Sequence, residues 1–152
     1  MRRAVCIIAL VVFCSVLGGA YLAQATTADD VKALAEKALA FWKAHGKDKA
    51  IAEFNNPAGQ FKKVDMYVGA VAFNGLILAN GGNPKLTGMN LLEQRDPTGK
   101  YFIKENIEVA KKGGGWVEYS WTNPETKKIQ PRKVLVTRVP GEDVYISWGT
   151  FK

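Results

Sequence analysis

Gly113-Gly114-Gly115-Trp116-Val117-Glu118-Tyr119-Ser120-Trp121 is where the chain changes period. Three successive glycines terminate a helix, because glycine alone takes up positive φ at little cost. Beyond them Val117, Tyr119 and Trp121 alternate with other side chains, the two-residue period of a strand with one buried face. A strand is therefore predicted over Trp116 to Thr122. Upstream, Ile103, Ile107 and Ala110 recur at helical spacing, which predicts a helix over about Lys100 to Lys112. Downstream, two more strands are predicted, Arg132 to Val139 and Val144 to Thr150, with turns at Asn123-Pro124 and Pro140-Gly141. The C-terminal half thus reads as a helix feeding a three-strand meander.

Further toward the N-terminus, Met66 to Phe73 is a strand-like run and Leu76 to Ala79 returns after Asn74-Gly75, a strong hairpin signal. Gly81 to Met89 reads as a loop, followed by a short turn near Leu91-Leu92 and the turn sequence Asp96-Pro97-Thr98-Gly99. Before the hairpin, Thr27 and Asp30 have capping-box spacing. Val31, Leu34, Ala35, Ala38, Leu39 and Trp42 then form one apolar stripe, and Gly46 closes this long helix. A second, short helix is expected from about Asp48 to Phe54. The order of elements implies an α+β domain: a five-stranded antiparallel sheet with helices packed on it.

The first residues read differently. Arg2 and Arg3 precede an uncharged run from Ala4 to Leu17, and Ala23-Gln24-Ala25 is the small-x-small pattern of a secretory cleavage site. The expected organisation is a signal peptide over 1–25 and one domain over 26–152, with export to the periplasm or beyond. The alternative is an uncleaved anchor, since Ala4 to Ala23 could just span a bilayer of ~20 apolar residues. Neither Cys6 nor Cys14 follows a Leu-small-small sequence, so a lipid anchor is not expected, and both lie inside the signal. The processed chain would have no disulfide and would rely on its core. No second long apolar stretch follows, so no membrane span is expected after processing.

The net charge is +7, from 21 basic and 14 acidic residues. Without Arg2 and Arg3 it is 19 against 14, or +5. Lysines mostly alternate with acids, as in Lys47-Asp48-Lys49, and Lys62-Lys63, Lys111-Lys112 and Lys127-Lys128 read as solvated faces. Nucleic acid is accordingly not an expected partner.

Catalytic machinery is not visible. His45 is the single histidine and lies at a helix end, where it can cap carbonyls. Without a mature cysteine or a second histidine, familiar zinc or haem sites cannot be assembled, and no cofactor is expected. Glu105 and Glu108 share a helix face with lysines around them. The triple glycine lacks the lysine and hydroxyl of a phosphate loop. The expectation is a non-enzymatic binding protein. Tyr119 and Trp121 put two rings with polar handles on one strand face, which suits a ligand pocket or an aromatic core equally. Arg132, at the start of the next predicted strand, could pair with a small carboxylate; read alone, a charge there more often faces solvent.

These residues, taken in order, resemble the single Cache domains, extracellular sensor modules of bacterial chemoreceptors and sensor kinases. The segments that carry the resemblance run from about Ala28 to Phe151. They include Gly46-Lys47-Asp48, Phe54-Asn55-Asn56-Pro57, Tyr67 to Phe73 and Gly75 to Ala79. They continue with Asn83-Pro84-Lys85-Leu86, Gly88-Met89-Asn90-Leu91, Asp96 to Gly99, Phe102 to Glu105, the triple-glycine strand and Val139-Pro140-Gly141. The resemblance implies a PAS-like five-stranded antiparallel sheet with a long N-terminal helix. It also implies a pocket between the sheet and the segment from Asn80 to Lys112, open to acids such as acetate, propionate or pyruvate. By position, Tyr67, Tyr119, Trp121 and Arg132 would line or anchor it.

Two positions depart from the family pattern. Ala79-Asn80-Gly81 stands where the family often has Ala-His-Pro, so Asn80 replaces a ligand-contacting histidine. Leu135 stands where a fourth-strand tyrosine is common. Asn80 can still donate a hydrogen bond, whereas Leu135 cannot. With nothing expected beyond Lys152, the domain would pass its ligand or its state to a membrane sensor protein, or act as an accessory protein. The alternative function is an interaction module with a vestigial pocket that regulates a membrane partner.

Overall fold

A computed structural model describes residues 27–63 and 66–152. The expectations for the signal segment, its cleavage and both cysteines lie outside these residues. Helix α1 spans Ala28–His45 and starts as a capping box: Asp30 N donates to Thr27 Oγ1 at 3.2 Å, and Thr27 N donates to Asp30 Oδ2 at 2.8 Å. Its buried stripe is Val31, Ala35, Ala38 and Trp42. Gly46, at φ 80°, ends α1 and begins α2, Lys47–Asn55, so one left-handed residue joins two helices.

The strands are β1, Lys62–Lys63; β2, Met66–Ala72; β3, Ile77–Asn80; β4, Gly115–Thr122; β5, Ile129–Arg138; and β6, Val144–Phe151. All pairs are antiparallel, in the order β1-β2-β6-β5-β4, with β3 beside β2. Among the described residues the sheet therefore has six strands where five were expected. The extra one is two lysines long, carries no apolar alternation, and exists because Lys62 and Lys63 pair with Tyr67 and Met66. A second difference matters more. β5 begins at Ile129, three residues before the predicted start, so Arg132 lies inside the ladder opposite Tyr119.

The sheet has two covered faces. Val68, Ala70, Ile146 and Trp148 pack with Trp42 and Phe54 of the N-terminal helices. On the opposite face, helix α3, Phe102–Lys111, lays Phe102, Ile103, Ile107 and Ala110 over Val117, Tyr119, Val134 and Tyr145. The glycines after α3 do what their sequence requires. Gly113 and Gly114 have φ of 104° and 113°, and Gly114 N donates to Val109 O at 3.0 Å. A Cβ on Gly114 would sit 2.6 Å from Val136 O, so helix and sheet meet there at glycine distance.

Candidate functional site

The site lies on the α3 face of the sheet, and strand parity decides who reaches it. In β2, Tyr67, Gly69 and Val71 point there; in β6, Tyr145 and Ser147; in β4, Tyr119 and Trp121; in β5, Arg132. Asn80 closes β3 at the rim. A cavity of about 30 Å³ lies among them, and all five residues expected to contact a ligand (Tyr67, Asn80, Tyr119, Trp121 and Arg132) line it. That is room for about two waters.

Arg132 is 3% exposed, so the solvent-facing reading of this residue is overturned. Starting β5 at Ile129 carries Arg132 over the interior. Its Nη1 donates to Tyr67 Oη at 2.8 Å and its Nη2 to Tyr67 O at 3.3 Å. The guanidinium carbon lies 4.0 Å from the Tyr67 ring centre and 5.3 Å from that of Phe151. All these partners are neutral. Arg132 Nε is buried with no hydrogen-bond partner, and among the described residues no carboxylate pairs with this guanidinium. Burial of an arginine ordinarily brings a compensating anion, because the ion has been taken out of water.

Three further polar residues, Asn106, Tyr145 and Ser147, belong to the cavity and were missed from sequence. Asn106 Nδ2 donates to Tyr145 Oη at 3.3 Å, and Asn106 Oδ1 is buried without a partner. Asn106 falls three residues after Ile103 on the buried stripe of α3, and a polar residue on that stripe is the signal that would have found it. Tyr145 alternates with Ser147 on β6, the same two-residue period. Burial pushes the Tyr145 phenol far above its ordinary value. Burial likewise drives Tyr67 up to about 12, although Arg132 beside it pulls the other way. Both tyrosines are therefore neutral hydroxyls at any physiological pH.

The outer wall is aromatic. Phe102 stacks on Tyr119 at 4.8 Å and tilts against Trp121 at 5.1 Å. The two readings of the β4 rings thus coincide, since they are core for α3 and lining for the cavity. Asn80 Oδ1 accepts from Gly82 N at 3.1 Å and Asn83 N at 2.9 Å, which leaves its amide nitrogen as the group available for donation. Asn55, the last residue of α2, holds this rim, accepting from Asn80 N at 3.0 Å and Thr87 Oγ1 at 2.9 Å.

Leu135 does not belong to the site. It packs on the α1 side of the sheet, one residue out of phase with Arg132 and Val134. Its lack of a hydroxyl therefore does not weaken the cavity, and Tyr145 supplies a phenol from β6 instead. His45 behaves as expected, with Nδ1 3.1 Å from Phe41 O and its ring stacked on Phe41 at 4.2 Å. Glu105 and Glu108 form ion pairs with Lys100 and Lys111 at 2.7 and 2.9 Å. Among the described residues no cluster of histidine, cysteine or carboxylate side chains could hold a metal ion, and no helix is long and apolar enough to cross a membrane.

The profile of single Cache domain 2 matches residues 21–151. Three solved structures share the fold. A methyl-accepting chemotaxis protein from Vibrio parahaemolyticus RIMD 2210633 superposes with a TM-score of 0.70 at 22% identity, over 81% of this chain and 86% of that one. The periplasmic sensor domain of a chemotaxis protein gives 0.63 at 22% identity, over 81% and 88%. A Cache chemosensory domain described for its carboxylic acid recognition gives 0.63 at 18% identity, over 81% and 86%.

Proposed function

This chain belongs to the single Cache domain 2 family, and from that premise we propose that it is an exported, non-enzymatic sensor domain that takes a small organic acid at Arg132. One observation carries the reading: a buried guanidinium with a free Nε, surrounded by neutral partners. A carboxylate would meet Arg132 as a charge-assisted acceptor. The Tyr119 and Tyr67 hydroxyls, Trp121 and the Asn80 amide would orient it, and Asn106 Oδ1 would take a hydroxyl or water that comes with it. That a structural relative is described for carboxylic acid recognition agrees with this choice of ligand. The signal reaches a membrane sensor protein through the occupied domain.

The cavity's size supports a second reading. At about 30 Å³ it holds no acid until its wall moves, which suits an interaction module whose pocket is vestigial. The two readings separate in a thermal-shift screen of the processed protein against acetate, propionate, pyruvate and longer acids. A ligand of the native state raises Tm, by about 2.7 kcal/mol of added stability at a hundred times Kd. A flat response to every acid, with Arg132→Ala as competent as the parent in capturing its membrane partner, would leave the interaction module standing.

A further inference from the structure

Beside the inner cavity lies a separate cleft of about 480 Å³, between the segment from Leu86 to Pro97 and the adjoining ends of β4 and β5. Its apolar lining is Leu86, Met89, Leu91, Pro97, Trp121 and Ile129. Met89 and Ile129, 48% and 60% exposed, are the large hydrophobic residues left in solvent among the described residues, and both are in this cleft. Single exposed hydrophobic side chains are ordinary, whereas two lining one concave surface mark a place where apolar matter is received.

Leu91 and Trp121 line both spaces, so the two share a wall of side chains. An acid too large for the inner cavity must displace that wall, and displacing it joins Arg132 to the cleft. The charges of the cleft also select. Asp96 and Arg95 both lie in its lining. Asp96 accepts from Thr98 and Ser120 N, and Arg95 donates to the Tyr101 hydroxyl and lies 4.2 Å over its ring, so both charges are already engaged within the fold. An anionic end is better placed on the buried guanidinium, and an uncharged body in the cleft.

We infer that the ligand is an amphipathic monocarboxylate, its acid group on Arg132 and its apolar body extending past Trp121 into the cleft of Met89 and Ile129. This rests on the carboxylate reading above and names the class of acid. A dicarboxylate would extend instead into a second cleft of about 500 Å³, lined by Lys85 and Lys127, which meets the inner cavity at Tyr67 and Trp121.

The test is calorimetric titration of the protein with straight-chain acids from acetate to octanoate, and with adipate as the six-carbon diacid. Affinity should rise about fourfold per methylene, the value of burying each one, until the cleft is filled. Hexanoate should bind better than adipate. Ile129→Glu, at an exposed position, should weaken hexanoate at least tenfold and leave propionate unchanged. If acetate or propionate binds as tightly as hexanoate, the inference fails while the carboxylate reading stands. If adipate binds more tightly, the extension follows the lysine cleft and the inference fails. If no acid of any length binds, the carboxylate reading fails and takes the inference with it.

Discussion

At the scale of single residues, Arg132 and Asp96 show two ways of keeping a charge inside a small protein. Arg132 has a phenol, a carbonyl and ring faces for company, and its Nε–H is unmatched. Arg132→Ala should therefore abolish acid binding, a loss of about 2–5 kcal/mol for removing one side of a buried charge pair, read by calorimetry. Tyr119→Phe keeps the ring on Phe102 and should cost less, about 0.5–1.5 kcal/mol where the hydroxyl meets a neutral group of the acid and about 1.5–3 kcal/mol where it meets the carboxylate directly. Asp96 is the opposite case. Burial works to raise its carboxyl, but Ser120 N, the Thr98 hydroxyl and the N–H groups of Lys100 and Thr98 outweigh it and hold the pKa at about 2. A carboxyl depressed in the folded state stabilises it above the unfolded value, near 4, and that contribution is lost as pH falls through about 2. The stability difference between the parent and Asp96→Asn should thus be full at pH 7 and shrink between about pH 4 and 2, as urea titrations would measure. A difference that stays constant across that window would contradict the ionised cradle.

At the scale of elements, ends were more legible than pairings. The capping box of α1 was readable because Thr27 and Asp30 are three residues apart and both bonds are local. Thr27→Ala should destabilise the domain by about 1 kcal/mol in chemical denaturation. The triple glycine was readable as a helix end for the same local reason. Its closeness to β5 was not, since the contact of Gly114 with Val136 depends on how α3 lies on the sheet. Gly114→Ala combines a φ of 113° with a 2.6 Å approach to backbone and should cost about 1–3 kcal/mol. Strand limits were less secure. Ile129-Gln130-Pro131 has no apolar alternation, and it joins β5 only because Thr122, Trp121 and Ser120 stand opposite. The same effect makes a strand of Lys62–Lys63. That shift of three residues decides whether Arg132 is a strand-start charge or an interior one.

At the scale of the whole molecule, the proposal that the chain is exported and processed has two measurable consequences. The mature protein is expected to begin at Thr26, which intact-mass analysis would read directly, and its Tm should be the same with and without reductant. The order of elements, the sheet class and the α3 stripe were set by local periods and turn residues, because backbone propensity and one-sided burial act over a few neighbours. Resemblance of ordered motifs brought Tyr67 and Asn80 into view beside Tyr119, Trp121 and Arg132. Which side chains share a cavity was decided by tertiary pairing alone. Asn106 meets Tyr145 across 39 positions, Arg132 meets Tyr67 across 65, and Leu135 falls on the far face because adjacent residues of a strand point to opposite sides. No local signal carries such distances. They are fixed when α3 packs on the sheet and burial of its apolar stripe takes the polar residues on it inward as well.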